Sequence, residues 1–315
     1  MKRKQKRKIE MNIKNYVNKK NKKKKKVTKH VVGDVHHRLL RYISDHNEEN
    51  LEVRGVEFSN SGAQGREPLF DASRNGKGTI MAYWKDDSKN CVVISAPEPG
   101  FEIKAPKSLY RYFWEWDLRY LDVSHLDVSN TTDFCHCFAK FGGNFMGVLP
   151  SGIVGLETWD VRKGKDFTGM FEHCLASNKT IHLDLSSWRF NTEERVCFWA
   201  MFQYFGFQAK EVVLDVGGWN TECVYDFVRI FSHFAPCAKA VELKGIEDWR
   251  LGTGGISLDF AFDRFAEDSE CRLDLSQWNK ECAQHPTIEG FAANTFFRIK
   301  EPIWEERKKE KGENE

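Results

Sequence analysis

The chain has 315 residues, 41% hydrophobic and 30% charged. That is enough apolar mass for a core, yet no run nears the roughly 18 consecutive apolar residues of a membrane span. The formal net charge of +2 conceals a division: residues 1–30 hold fifteen Lys or Arg and one Glu, a local balance of +14, which leaves −12 for residues 31–315. Neither a uniformly basic nor a uniformly acidic protein fits; the sequence reads as a basic tail on an acidic body.

Residues 1–30 form the tail. Blocks of like charge do not bury, so this segment is expected to be disordered. Lys2, Arg3, Lys4, Lys6, Arg7 and Lys8, with Lys22, Lys23, Lys24, Lys25 and Lys26, are candidate contacts to phosphate backbones. A solvated tail, or a nuclear address in a eukaryotic host, is the alternative. Tyr16 is the one aromatic residue among the lysines, which argues against base stacking by the tail itself. Ile9, Met11, Ile13 and Val17 are scattered and supply no apolar stretch of the roughly 7–15 residues a secretory signal needs. Nine scattered cysteines, an odd count, fit a reducing compartment better than a disulfide framework. An intracellular, cytoplasmic location is expected, or a nuclear one in a eukaryote.

Residues 31–106 read as a small α/β unit. Asp34 to Asp45 carries Val35, Leu39, Leu40, Tyr42 and Ile43 at helical spacing. Glu52–Phe58, Thr79–Lys85 and Asn90–Ser95 alternate like strands, with a hairpin turn predicted at Asp86–Lys89. Capping the end of the array that follows is its expected role, since an open end would expose the stacked core.

From residue 107 a repeat takes over. Trp159, Trp188, Trp219, Trp249 and Trp278 fall at intervals of 29, 31, 30 and 29 residues, the even spacing of stacked units. Upstream of the repeat positions, Leu121-Asp122-Val123-Ser124, Leu183-Asp184-Leu185-Ser186, Leu214-Asp215-Val216-Gly217 and Leu273-Asp274-Leu275-Ser276 alternate like half-buried strands. Downstream come Phe134 and Phe138, Phe167 and Phe171, Phe198 and Phe202, Phe227 and Phe231, then Leu258 and Phe262. Four residues apart, each pair shares one helix face, and Asp133, Asp166 and Asp226 stand where helix N-termini favour an acid. Leu126 takes the Trp position of the first unit, and Leu109 with Phe113 marks a half-unit before it.

The string Leu183-Asp184-Leu185-Ser186-Ser187-Trp188, with Trp159-Asp160-Val161 leading to Gly169-Met170-Phe171 and Cys174, resembles the BspA-type leucine-rich-repeat family of bacterial and protist surface proteins. Thr79–Lys85 and Val92–Ser95 resemble the lead-in to such arrays, so the resemblance spans roughly residues 76–296. It implies a right-handed solenoid used for binding. The expected fold class is therefore α/β: a leucine-rich-repeat-like solenoid of about six strand–turn–helix units of 29–33 residues over 107–298, a capping unit before it, and a charged, helical tail over 299–315.

Catalytic or metal chemistry finds little support. Adjacent His36 and His37 point apart, and nothing with His46 completes a ligand set; Cys135-His136-Cys137 has no second Cys pair; Gly252-Thr253-Gly254-Gly255 lacks the Lys-Ser/Thr ending of a phosphate loop. No enzyme activity, metal or cofactor is expected. The array instead offers a surface. With apolar strand residues facing inward, Asp122, Ser124, Asp184, Ser186, Asp215, Asp274 and Ser276 should line an outer face. Carboxylates about 4.8 Å apart there repel unless compensated by hydrogen bonds, a cationic partner or the protein's own tail. The expected function is a repeat scaffold that binds another macromolecule, a protein first of all. The alternative is a nucleic-acid-associated protein, accessory to or inhibitor of a nucleoprotein machine, using the lysine-rich tail.

Overall fold

The computed structural model describes residues 31–46, 52–143, 152–278, 286–295 and 298–302. The tail lysines and arginines singled out above, and Cys282, lie outside them.

The first element is helix α1, Val35–Asp45, started by Asp34, whose Oδ1 accepts the His37 N–H at 3.0 Å. Its buried residues Val35 and Leu39 lie four apart on one face. Strands β1 (Gly55–Phe58), β2 (Pro68–Asp71), β3 (Met81–Trp84) and β4 (Cys91–Ser95) follow. The β3–β4 hairpin turns where the sequence places it: Asp86 Oδ1 accepts the Ser88 N–H at 2.9 Å, and Lys89 adopts φ 52°. Next come β5 (Ile103–Lys104), β6 (Tyr120–Asp122), β7 (Leu126–Asp127) and β8 (Gly152–Val154). The sheet order β2-β3-β4-β1-β6-β8 carries the N-terminal strands straight into the repeats. Its β2–β3–β4 part is antiparallel, and β4–β1–β6–β8 is parallel.

The repeats add β9 (Thr180–Asp184), β10 (Val196–Cys197), β11 (Glu211–Asp215), β12 (Val224–Asp226), β13 (Ala240–Lys244), β14 (Leu273–Asp274) and β15 (Ile299–Lys300). In the parallel sheet β9·β11·β13, Ile181, Val212 and Val241 share one row and Leu183, Leu214 and Leu243 another. The alternation read from the sequence is the inward face of these strands. The Trp rhythm is equally physical. Trp188, Trp219, Trp249 and Trp278 stack with centroids 6.2, 5.5 and 5.9 Å apart and planes within 11°. Each indole N–H, Trp159 included, donates back to the preceding coil, to the carbonyls of Val123, Leu156, Leu185, Val216 and Ile246.

The helical half of the expected repeat is absent, and with it the α/β leucine-rich-repeat-like solenoid of strand–turn–helix units. Among the described residues α1 is the one α-helix, beside a single 3-10 turn at Leu156–Thr158; the rest is strand and turn in several small sheets. After Asp133 the chain forms a ribbon of successive tight turns. Cys137, Ala139 and Phe141 N–H groups close onto Phe134, His136 and Phe138 carbonyls, while the N–H groups of Phe134, His136, Phe138 and Lys140 cross to Asp166, Thr168, Met170 and Glu172 of the next coil. Every fourth residue is left-handed: His136 and Lys140, Gly169 and His173, Ala200 and Tyr204, Arg229 and His233, Phe260 and Arg264. A turn ribbon therefore repeats every four residues, and a helix every 3.6, so the Phe spacing satisfies both. Asp133, Asp166 and Asp226 do not start helices; each accepts the N–H two residues on, from Cys135, Thr168 and Val228. At the C-terminal end Ile299–Lys300 pairs with β14 instead of starting a helix, and residues 303–315 lie outside the described residues.

The ribbons stack into one ladder of parallel bridges through Ser108, Asp133, Asp166, Cys197, Asp226, Ser257 and Thr287. Inside it Phe113, Phe138, Phe171, Phe202, Phe231 and Phe262 form a ring column with steps of 5.0–5.5 Å. Trp219 touches Trp188, Trp249, Phe190 and Phe198 at once. Trp219→Ala removes those contacts and the hydrogen bond to Leu185, and is expected to cost about 3–5 kcal/mol in denaturant unfolding. A loss under about 1 kcal/mol would show that the column does not hold the coils together.

Candidate functional site

The structure brings together two of the four carboxylates predicted to line an outer face. Asp184 and Asp215 are register partners at the ends of β9 and β11, and the next position in the row is Lys244 of β13. Asp122 pairs with Val154 and Asp274 with Lys300, in other sheets. The row is thus short and mixed in charge. Each acid is also held locally. Asp184 Oδ1 accepts the Ser186 N–H at 2.9 Å, and hydrogen bonding to Ser186, with Lys244 nearby, keeps its carboxyl below the usual range. Asp215 Oδ1 accepts from Gly217 at 2.9 Å. Asp122 takes both the N–H and Oγ of Ser124, at 2.9 and 2.6 Å. Asp274 takes Lys300 Nζ at 2.8 Å and Ser276 Oγ at 2.5 Å, which hold it at about 2. Asx turns of this kind spend one carboxylate oxygen on the chain's own backbone; the second oxygen of Asp122 accepts the Tyr120 hydroxyl and that of Asp274 the Lys300 ammonium, while those of Asp184 and Asp215 face outward.

The motifs weighed for metal or nucleophilic chemistry do not converge. His36 packs on Trp116 at 5.1 Å and His46 stacks on Tyr42 at 4.1 Å, while His37 is exposed. Cys137 is buried and Cys135 half-buried, while His136 turns to Glu172 at 3.2 Å. Burial pushes Cys135 up to about 12 and Cys137 well above its ordinary value, so both are thiols at neutral pH. Gly252 sits where a Cβ would lie 2.0 Å from the Glu222 carbonyl oxygen, a packing reason for the glycine. No group of three His, Cys, Asp or Glu among the described residues is placed to hold a metal ion. Nor does any helix among them have the length and apolarity to cross a membrane.

Two features escaped sequence reading because they join distant residues. On the ribbon surface the rings of His173, Tyr204 and His233 form a column, 4.4 and 4.5 Å apart, in three successive coils. The second is a groove of about 660 Å³ between α1 and the first ribbon, walled by Leu40, Arg74, Tyr110, Arg111, Tyr112 and Trp114. Leu40 and Tyr110, 53% and 52% exposed, are the two most exposed large apolar residues described, and both line it. The Arg111 guanidinium lies over Tyr110 and Trp114, at 5.2 and 5.0 Å. Behind the groove, buried Trp116 keeps an indole N–H without a partner.

The architecture defines a repeat protein of parallel strand-and-turn coils. Over residues 107–249, from the first ribbon to Trp249, the chain matches a family model described as a Mycoplasma protein of unknown function, DUF285. That span is under half of the chain, so the similarity concerns the repeats. No curated protein and no solved structure matches it. The resemblance to BspA-type leucine-rich-repeat proteins is corrected by this result: no leucine-rich-repeat family matches, and the turn ribbons stand where that resemblance implied helices.

Burial lowers three imidazoles, His36, His173 and His233, below their ordinary value of 6.5. The fold then prefers them neutral. Their contribution to stability is full above the unfolded value near 6.5 and is lost as pH falls through the lower folded values. Asp226, raised by burial, opposes that loss only in the more acidic carboxylate range. Urea midpoints are expected to hold from about pH 8 to 7 and to drop by about pH 5.5. A His173→Gln, His233→Gln variant should show a smaller drop, and a midpoint that rises on acidification would contradict the assignment.

Proposed function

We propose that this protein is a non-enzymatic scaffold that binds another macromolecule, a protein in the first instance, through the exposed face of its stacked coils. The observation that carries the reading is the register of β9, β11 and β13. It sets side chains of successive coils in rows at strand spacing, a surface suited to a partner with a matching linear arrangement. Asp184 and Asp215 head one such row, each with an oxygen left outward. A partner bringing cationic groups there gains little from each pair, about 0–1 kcal/mol, but gains orientation and rejection of acidic competitors. The eight described cysteines are free thiols, and we place the protein inside the cell on that basis.

The charge division favours a second reading, association with nucleic acid through residues 1–30, whose balance of +14 contrasts with −12 for the remainder. In that reading the tail grips phosphates and the coils choose the partner, as in an accessory or inhibitor of a nucleoprotein machine.

Asp184→Asn with Asp215→Asn tests the first reading. Asn keeps the side-chain oxygen that accepts the Ser186 and Gly217 N–H groups, so unfolding should move by under about 0.5 kcal/mol. The association rate with a partner recovered from the native host is expected to fall several-fold. An unchanged rate would move the binding site off this face. The second reading predicts that log K for nucleic acid declines linearly with log salt, with a slope of about −0.7 to −0.9 per phosphate contact, and that removing residues 1–30 abolishes it. Strong binding by the net-acidic remainder would refute the tail as the source.

A further inference from the structure

Every junction between ribbons is made the same way. Four N–H groups of one ribbon, two residues apart, meet four carbonyls of the next, as Leu109, Arg111, Phe113 and Glu115 meet Asp133, Cys135, Cys137 and Ala139. These bonds all run in one direction, so the two ends of the stack are unlike. The first ribbon keeps the carbonyls of Ser108, Tyr110, Tyr112 and Trp114 without a donor among the described residues. The last keeps the N–H groups of Ile288, Gly290, Ala292 and Asn294 without an acceptor among them. An ordinary strand edge offers both N–H and C=O, so part of it would face its own kind at either end. The complement of an all-acceptor row is an all-donor row, and the far end of the same molecule carries one of equal number and step.

We propose that the last ribbon of one copy of this chain docks in the groove of a second, its N–H row meeting the carbonyl row of the first ribbon. The side chains agree with the backbone. Tyr110, Tyr112 and Trp114, three of the four acceptors, line the groove. α1 meets the ribbon where His36 packs on Trp116 at 5.1 Å and stays clear of it at Leu40 and Tyr110. Of the four exposed large apolar residues described, those two wall the groove and Ile288 stands on the last ribbon. Gly290, Ala292 and Ala293 keep that ribbon's edge low, and Glu289 is the one charged residue of 286–295. The acids of the groove are engaged within their own copy, Asp34 with His37 at 3.3 Å and Glu115 with Lys140 at 2.9 Å, so they do not oppose Glu289 unscreened. Groove and edge are different surfaces, and each bound copy keeps one of them unused. Such a contact is heterologous, and association continues head to tail instead of stopping at a dimer. It stands apart from the scaffold and nucleic-acid readings, neither of which it needs.

The test is the mass of the full-length protein by sedimentation equilibrium, up to about 1 mM, where even weak contacts register. About 0.5 M salt screens attraction between the basic tail and the acidic body. The wild-type mass is expected to rise with concentration and to pass twice the monomer without levelling off. Tyr110→Ala in the groove and Ile288→Lys on the edge change exposed side chains, so unfolding midpoints should stay near wild type. Each alone should weaken self-association by about 30-fold or more, as loss of a central anchor does. Mixed in equal amounts, they should form a 1:1 pair and nothing longer, because one brings an intact edge and the other an intact groove. A wild type that stays monomeric throughout, or that associates only at low salt, overturns the inference. So does association that both variants retain, and so does a mixture that stays as monomeric as its parts.

Discussion

The constraint on which the structure depends is the division of backbone N–H groups within each ribbon. Alternate donors close a tight turn on their own coil, and those between them reach across to the next, as Cys137 and Phe138 do. Along the ribbon from Phe134 to Gly143 no donor is left for an i to i−4 helical bond, and each has an acceptor, which buried backbone demands. The geometry has a local cost. Non-glycine residues such as His136, Lys140 and Tyr204 sit in the left-handed region, at about 1–2 kcal/mol each. The offset comes from what the ribbons carry inward: Phe113 to Phe262 stacked ring on ring and fully buried, each large ring contributing burial of comparable or greater size.

The same regularity makes charge a problem, because equivalent positions recur at strand spacing and like charges would face one another. The sequence answers by alternating sign between coils. Lys140 meets Glu115, Glu172 meets His136, Lys165 pairs with Glu194 and Lys239 with Asp268. Singly these exposed pairs add little. Their effect is to remove a repulsion that the stacking would otherwise impose. Where the sign does not alternate, as at Asp184 and Asp215, each acid is steadied by its own Asx turn.

These devices explain which parts of the protein were legible in the sequence. The Trp rhythm, the inward strand rows, α1 and the Asp86–Lys89 turn all follow from local periodicity and turn chemistry, and the structure has each of them. The helices inferred from Phe134 and Phe138 and their counterparts failed for a definite reason: a four-residue spacing marks one face of a helix and one face of a turn ribbon alike. The discriminating signal was present in Gly169, a glycine standing where its neighbours carry His136 and Ala200, since a left-handed position admits glycine readily and a helix interior resists it. The outer carboxylates were read as one continuous row because register was assumed through all coils. The sheets are in fact interrupted, and only Asp184 and Asp215 meet.

The groove follows from how a periodic stack ends. Each inner ribbon is covered on both sides by ribbons of the same shape, so its outer residues find partners at a fixed step. The first ribbon has no predecessor. Phe58 of β1 meets Phe113 edge-on, with planes at 86°, where a further coil would have supplied a parallel ring. α1 covers the outside, tied down by the Tyr112 hydroxyl donating to the Gly33 carbonyl. A helix rises 1.5 Å per residue with 3.6 residues per turn, and it cannot match a ribbon that repeats every four. The two surfaces meet where His36 packs on Trp116 at 5.1 Å and part at Leu40 and Tyr110, which stay exposed. Mismatch between a helix and a turn ribbon thus yields, at one end of the array, an open groove walled by Leu40, Tyr110 and Trp114, with the Arg111 guanidinium lying over both rings.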